Sequence, residues 1–513
     1  MQRIQPDQPH PLFDTATTRR LEAEGIAATG DHVLMQRAGR AVAQLARALA
    51  PHARHIWIAC GAGNNGGDGL EAAALLQTAG CKVSVTWLGA PETASSDTRQ
   101  AWQRATAATV HFTSAPPDDL GPQDLCIDAL LGIGLTANDS GRKPSPAMLV
   151  LLHALRESPA TLLCVDLPSG LIADTGQLAP GFAYRTPPAT VGARHTLSLL
   201  TLHPGLFTGA GRDEAGAIWF SPLGLPIPAM TPSFQLSGAP SSMQRTHASH
   251  KGCWGDVAII GGQGVREGGM GMTGAAVLAA SAAVHAGAGR VMLAPLDPDM
   301  WQVPGDLPEI MLRRWEALEL ERITVVCGCG GGSAVRALLP EILRRAQRLV
   351  LDADALNAIA ADAALQAHTR ERAQRARQPT VITPHPLEAA RLLGNGMTAA
   401  DVQSDRLAAA QRLAQHLDCV VVLKGSGTVI AAPDCAPHIN PTGNARLATG
   451  GTGDVLAGLL GARMAAFADD EHGTANALRA AIQACWQHGN VADRWPEDLA
   501  LTASQLARAL TPG

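Results

Sequence analysis

One stretch constrains this chain more than any other: residues 440–460, NPTGNARLATGGTGDVLAGLL. Gly443, Gly450, Gly451 and Gly453 precede or enclose Asp454, and an apolar run of helical length begins directly after it. Glycines let backbone N–H groups converge on an anion, and the first turn of a helix adds the positive end of its dipole to the same spot. Such a corner suits a phosphate. A carboxylate placed there stands beside whatever that phosphate is attached to. Asp454 therefore has two readings, as acceptor of a proton from a substrate hydroxyl or as a helix N-cap.

At 513 residues the chain exceeds one ordinary core, so two or three units are expected. A formal charge of −5 gives no electrostatic case for nucleic acid or an anionic membrane. Most of the ten cysteines fall in apolar runs or at their ends, among them Cys60, Cys126, Cys164 and Cys419, and no paired CxxC framework exists. Free thiols in a reducing compartment explain them better than disulfides or zinc. The first residues lack the apolar core of a signal peptide, and no segment offers the ~18 uninterrupted apolar residues of a membrane span. A soluble cytoplasmic protein is expected.

Taken in order, a polar start precedes helical spacing over residues 34–50. A short strand over 55–60 runs into GAGNNGGDG at 61–69, and a helix is expected over 70–79. Strand, glycine turn and helix make a phosphate- or nucleotide-binding crossover. The following strand, KVSVTWL, ends in Gly89 and Ala90 rather than the acid that a dinucleotide ribose requires, which argues against a redox site. The surplus polar groups Asn64, Asn65 and Asp68 point to amide or ribose contacts or a cation. Two further strands, over 125–131 and 161–165, carry Asp128 and lead to Asp166 and Ser169. In a parallel sheet the carboxyl ends share one edge, so Asn65, Asp128, Asp166 and Ser169 converge there, as hard ligands for an alkali or alkaline-earth ion.

Residues 221–249 are rich in Pro, Ser and Gly, and a linker is set at 225–245. Beyond it the strand-then-polar-turn grammar repeats. Strands over 257–260, 290–294, 323–327, 348–351, 380–383 and 419–423 are expected, with a small-residue helix over 275–286. Their turns carry Gly330, Asp352, His385 and Lys424. His385, between two prolines, is either an aimed ring or an idle turn histidine. Lys424 either holds a phosphate or is solvated.

The residues carry a family likeness. GAGNNGGDG, Asp128 with GIGL, and VDLPSGLIADTG resemble NAD(P)H-hydrate epimerases. HKGCWGD, GMTGA, LVLDADALN, TPHP, LKGSGT and NARLATGGTGDVLAG resemble ADP-dependent NAD(P)H-hydrate dehydratases, and the whole chain resembles the bifunctional NAD(P)H-hydrate repair enzymes that fuse the two. The resemblance implies an α/β fold in two domains. Residues 1–224 would be a Rossmann-like three-layer α/β/α epimerase domain and 246–513 a ribokinase-like dehydratase domain.

For the first domain it implies exchange of the R and S hydrates of NADH and NADPH. Asn64, Asn65, Gly66, Gly67, Asp68, Gly132, Ile133, Gly134, Leu135, Thr136, Ala137, Asn138 and Asp166 would bind the hydrate. Potassium would be held by Asn65, Asp128 and Ser169, with Asp166 as acid/base. For the second domain it implies dehydration of the S hydrate coupled to conversion of ADP, with Mg2+, to AMP and phosphate. Asp454 would be its base, and Ala275, Gly330 and His385 its other hydrate contacts. Lys424, Gly425, Ser426, Gly427, Thr428 and Gly453 would hold the nucleotide. A homo-oligomer is expected. The chain departs from the family pattern at His203 (commonly a lysine), Leu387 (a glycine), Cys329 (a proline) and Ile133 (a threonine). A rival reading is a vitamin-precursor kinase of the same fold with a regulatory nucleotide-binding first domain.

Overall fold

The structure, a computed structural model, describes residues 1–135, 143–183, 192–226, 231–241, 246–266, 269–297, 299, 306–374, 378–467 and 473–512. It divides into two compact units, Met1–Gln5 with His10–Phe234, and Pro6–Pro9 with Gln235–Gly513. Among the described residues no helix is long and apolar enough to cross a membrane.

In the first unit, strand Ile56–Cys60 lies between Val83–Trp87 and Leu125–Ala129, and Thr161–Val165, Arg194–Leu199 and Ala217–Ser221 extend the sheet in that order. All of these neighbours pair in parallel. Side chains alternate between two cores, as a period of two requires. Ile56, Ile58, Cys60, Ile127 and Leu163 meet the helices Val33–Leu49 and Asn64–Thr78 on one face. Trp57, Ala59, Cys126, Leu162 and Cys164 meet Pro146–Glu157 on the other. A sheet buried on both faces explains why its strands read as continuous apolar runs.

The expected helix over 70–79 begins earlier, at Asn64, with Gly63 as N-cap. The glycines of GAGNNGGDG are therefore largely helix. Each costs about 1 kcal/mol in a helix interior relative to alanine, which makes the segment look like a turn. Packing supplies the reason for them. A Cβ on Gly66 would overlap the Gly61 carbonyl oxygen, and one on Gly69 would lie 2.6 Å from the Ala129 Cβ. Before it, the polar start contains a helix, Thr15–Thr29, whose cap Asp14 accepts from the Thr17 N–H.

The second unit holds a mostly parallel sheet. Its order runs Met311–Leu312, Arg290–Pro295, Asp256–Gly261, Thr324–Cys327, Arg348–Leu351, Thr380–Ile382 and Val420–Leu423, then Val429–Ala431 and His438–Ile439. Val429–Ala431 is antiparallel to both of its neighbours. Within the expected linker, Gln235 and Leu236 pair in parallel with His438 and Ile439. The Ala-rich helix Thr273–His285 packs so tightly on helix Thr452–Ala466 that a Cβ on Gly458 would overlap the Ala279 carbonyl oxygen. Small side chains on both helices are what permit that approach.

If the Gly66 clash is read correctly, Gly66→Ala destabilises the first unit by about 1–3 kcal/mol, the usual range for overpacking. Denaturant unfolding measures it; a neutral effect would mean the segment is a free turn.

Candidate active sites

In the first unit the carboxyl edge of the sheet opens into a cavity of about 440 Å³. Asn64, Asn65, Asp68, Gly132, Ile133, Gly134, Leu135 and Asp166 line it, as does Glu22 from the N-terminal helix. Gly66 and Gly67 are buried and face Gly61 and Met35 instead. Thr136, Ala137 and Asn138 lie outside the described residues. Asp166 follows its strand directly and takes a left-handed backbone, φ 69°. That conformation is uncommon outside glycine and collects at functional sites. Its N–H donates to the Leu197 carbonyl at 2.8 Å. A Cβ on Gly132 would sit 2.9 Å from Asp166 Oδ2 and 3.3 Å from Asn65 Oδ1, so only glycine lets both side chains close in from either side.

Asp68 is half-buried, and desolvation, followed by the neighbouring Asp166 and Glu22 carboxylates, pushes it well above the usual carboxylate range. Glu22 is also raised, by burial first and Asp166 second. The cavity thus sets two carboxyl groups whose charged forms burial disfavours near Asp166. Asp128 and Ser169 do not line it. They lie behind Leu130 and Leu131 and bond to each other: Ser169 Oγ donates to Asp128 Oδ1 at 2.6 Å and the Ser169 N–H donates to Oδ2 at 3.0 Å. Leu130 N–H donates to Asp128, and Leu131 N–H to Ser169 Oγ. The Asn65 amide nitrogen is buried and has no hydrogen-bond partner.

In the second unit four strand ends meet. Asp352, after Arg348–Leu351, accepts from Thr383 Oγ1 at 2.7 Å and from Lys424 Nζ at 2.8 Å. Its side chain is 2% exposed. Cys329 Sγ lies 3.9 Å from the other Asp352 oxygen, and Cys329, Asp352 and Asp454 gather within 4.8 Å of one another. Burial works against the charge on Lys424, but Asp352 and Glu388 outweigh it and raise its pKa. Lys424, with its side chain 21% exposed, is thus the half-buried partner of a buried carboxylate rather than a freely solvated side chain.

Asp454 is not the N-cap. Gly451, at φ 92°, takes that place, and Asp454 is the third residue of helix Thr452–Ala466. Burial, then the Asp352 charge, pushes Asp454 up to about 6. A Cβ on Gly453 would lie 3.5 Å from Lys424 Nζ, so the glycine turn and the lysine adjoin. Ala275 faces Gly330, whose added Cβ would lie 3.0 Å from it, while Ala276 faces Gly262. His385 caps helix Pro386–Leu393: its Nδ1 accepts from Leu387 and Glu388 N–H groups, and Glu388 accepts from the His385 N–H. Its ring is held in place by a local job. In the loop after strand Val420–Leu423, Gly425 lies against the buried Arg406 guanidinium.

Sequence reasoning missed Glu22 and Asp352 as site residues. Glu22 sits in a helix with weak apolar periodicity, so nothing marked its direction. Asp352 was findable, since the run LVLD ends a strand at the same edge as Lys424.

Two carboxylate-centred sites, each at the carboxyl edge of its own α/β sheet, one with an acid pair and one with a lysine and a glycine-rich helix start, define a two-domain enzyme. Residues 31–205 match the family described as YjeF-related protein N-terminus, and residues 258–512 match NAD(P)H-hydrate dehydratase. A bifunctional NAD(P)H-hydrate repair enzyme of Escherichia coli is 35% identical over 94% of this chain and 90% of its own. An ADP-dependent (S)-NAD(P)H-hydrate dehydratase of Neisseria meningitidis is 40% identical over 52% of this chain and 86% of its own. A solved ADP/ATP-dependent NAD(P)H-hydrate dehydratase of Bacillus subtilis is 30% identical, covers 52% of this chain and 90% of that one, and superposes with a TM-score of 0.41. The chain belongs to the bifunctional NAD(P)H-hydrate repair enzyme family.

Breaking a buried ion pair strands its partner and costs about 3–5 kcal/mol. Lys424→Met is therefore expected to destabilise the second unit by that order, read from denaturant midpoints. A loss under about 0.5 kcal/mol would fit a surface lysine instead.

Proposed function

We propose that the chain repairs hydrated NADH and NADPH, exchanging their R and S forms in the domain at 1–224 and dehydrating the S form in the domain at 246–513, with ADP converted to AMP and phosphate. The observation that carries this is the placement of Asp454. It is an acid raised to about 6 on the first turn of a helix, next to a lysine and a glycine turn that suit phosphate.

Hydroxide is a poor leaving group and phosphate a good one, so a kinase-like site in a lyase has a chemical purpose. Asp454 takes the proton of the substrate hydroxyl while that oxygen bonds to the terminal phosphorus of ADP and the bond to AMP breaks. The ring nitrogen lone pair then drives the C–O bond apart, phosphate leaves with its electron pair, and loss of a proton from the adjacent carbon restores the double bond. Lys424, Gly453 and the loop of Gly425, Ser426, Gly427 and Thr428 hold the nucleotide. Ala275, Gly330 and His385 border the hydrate. Mg2+ arriving with ADP would be held mainly by phosphate and water, and Asp352 fits it, since the oxygen facing Cys329 has no stronger partner than a thiol at 3.9 Å. The ion would neutralise phosphate charge.

In the first domain, positioned proton transfer suffices, because the same nitrogen lone pair can expel or readmit the oxygen. Asp166 is the acid/base, and Asn64, Asn65, Asp68 and the Gly132–Asn138 region, numbers 132–138, bind the hydrate. Asn65, Asp128 and Ser169 would hold potassium: their donors are hard oxygens, and burial raises Asp128, a penalty that a cation relieves. The ion would anchor the strand ends beneath the substrate. Ten free thiols, seven of them buried, support a reducing, cytoplasmic setting.

Asp454→Asn is expected to lower ADP-dependent dehydration by about 100-fold or more while R/S exchange continues, and Asp166→Asn to do the reverse. Product analysis completes the test, since intact NADH and free phosphate support repair and a stable phosphorylated product supports a kinase. The pH profile follows from the Asp454 shift. A base works ionised, so dehydratase kcat/KM should fall as pH drops through about 6; a profile flat down to pH ~4, the ordinary carboxylate value, would assign the proton to another group.

A further inference from the structure

His203 stands where a buried imidazole has no ordinary reason to be. It is 0% exposed, and neither ring nitrogen has a hydrogen-bond partner. Leaving a buried polar group unpaired costs more than an apolar replacement of the same shape would. The backbone holds the ring firmly. His203 directly precedes the short helix Pro204–Phe207, whose proline fixes the chain, and the Gly205 N–H donates to the Ala173 carbonyl at 2.7 Å. Ahead of it, Leu200 is held at φ 66° and the Thr201 carbonyl accepts from Ser198 Oγ. From this fixed position Nε2 points to Asp166 Oδ1, 3.5 Å away.

We propose that His203 is a positioning residue for epimerisation, its Nε2–H bonding to Asp166 Oδ1 when substrate closes the gap and aiming the other carboxyl oxygen at the substrate hydroxyl. The inference rests on the reading of Asp166 as the acid/base. Oδ1 already accepts from the Leu199 N–H at 3.4 Å, which leaves Oδ2 beside Gly132, a residue of the cavity wall. Catalytic hydrogen bonds are commonly long before substrate binds. A donor to Oδ1 fixes the carboxyl torsion and fixes which oxygen exchanges the proton. The cycle balances on Asp166 alone. Protonated Asp166 gives its proton to the departing oxygen, and water leaves as the ring nitrogen lone pair forms the C=N bond. Water then adds to the opposite face and returns a proton to the carboxylate. His203 neither gains nor loses a proton.

The test is a double-mutant cycle on the full chain with His203→Leu and Asp166→Asn, measuring kcat and KM for R/S exchange, with ADP-dependent dehydration as a check on the integrity of the preparation. His203→Leu should lower exchange kcat by about 10- to 100-fold, the scale of a misplaced catalytic group, and leave KM within about twofold. Adding it to Asp166→Asn should cost nothing more, because it acts through that residue. Thermal unfolding should not move downward, since an unpaired imidazole is being replaced by an apolar group. If His203→Leu does lower the melting temperature, His203→Phe, a ring of similar shape with no N–H donor, replaces it in the same cycle. Wild-type exchange kcat in the His203 variant, or a double mutant whose loss is the product of the two singles, overturns the proposal. Full exchange in Asp166→Asn would sink the underlying reading as well, so the two failures are distinguishable.

Discussion

A carboxylate with almost no access to water, Asp352, holds the second site together. Thr383 and Lys424, from the two strands next along the sheet, both bond to one of its oxygens. Each of these groups is expensive to bury alone, and together they offset one another. The pair therefore forces three strand ends into a single register. Asp454 sits within the field it creates. Without the Asp352 charge nearby, a first-turn acid would be favoured in its ionised form by the helix dipole. With it, and with burial, Asp454 is lifted toward neutrality of pH, where an acceptor of a hydroxyl proton is most useful.

The first site uses the same materials for a different end. Its acids face each other with no lysine bonded to Asp166 among the described residues, and burial raises Asp68 and Glu22. Carboxyl groups whose charged form burial disfavours hold a proton more readily than exposed ones, which suits an exchange reaction that must give a proton and take one back. The phosphoryl-transfer step in the other domain needs acceptance only, at one acid beside one cation.

Much of this was legible in the chain. The strands over 161–165 and 348–351 fall where the apolar runs and their polar ends place them, because strands buried on both faces leave little freedom in sequence. The convergence of Asp166 with Asn65 and Gly132 follows from parallel topology alone. Other features were not legible, for reasons that are physical. Glycine at positions 66, 67 and 69 signals a turn by propensity, whereas tertiary contacts with Gly61, Met35 and Ala129 demand glycine inside a helix. Asp454 looked equally like a cap, because the difference between N-cap and third residue depends on which glycine adopts positive φ. Glu22 and the aim of His203 depend on how distant segments pack, and no local pattern encodes that.

Close backbone approach, rather than side-chain variety, is the means by which both sites are built. Gly132 admits Asp166 and Asn65 to the same point, Gly330 admits Ala275, and Gly453 admits Lys424. A methyl group at Gly132 would crowd the Asp166 and Asn65 oxygens and one at Gly330 would press on the Met272 carbonyl, whereas one at Gly453 would only touch Lys424 Nζ. A chain with 53 glycines and only 3% aromatic residues loses the large buried surface that aromatic cores provide. It gains close approach of backbone segments at the sheet edges. For substrates that carry several phosphates, recognition by peptide dipoles needs no counter-charge that would later hold the product. The acids are then left free to handle protons.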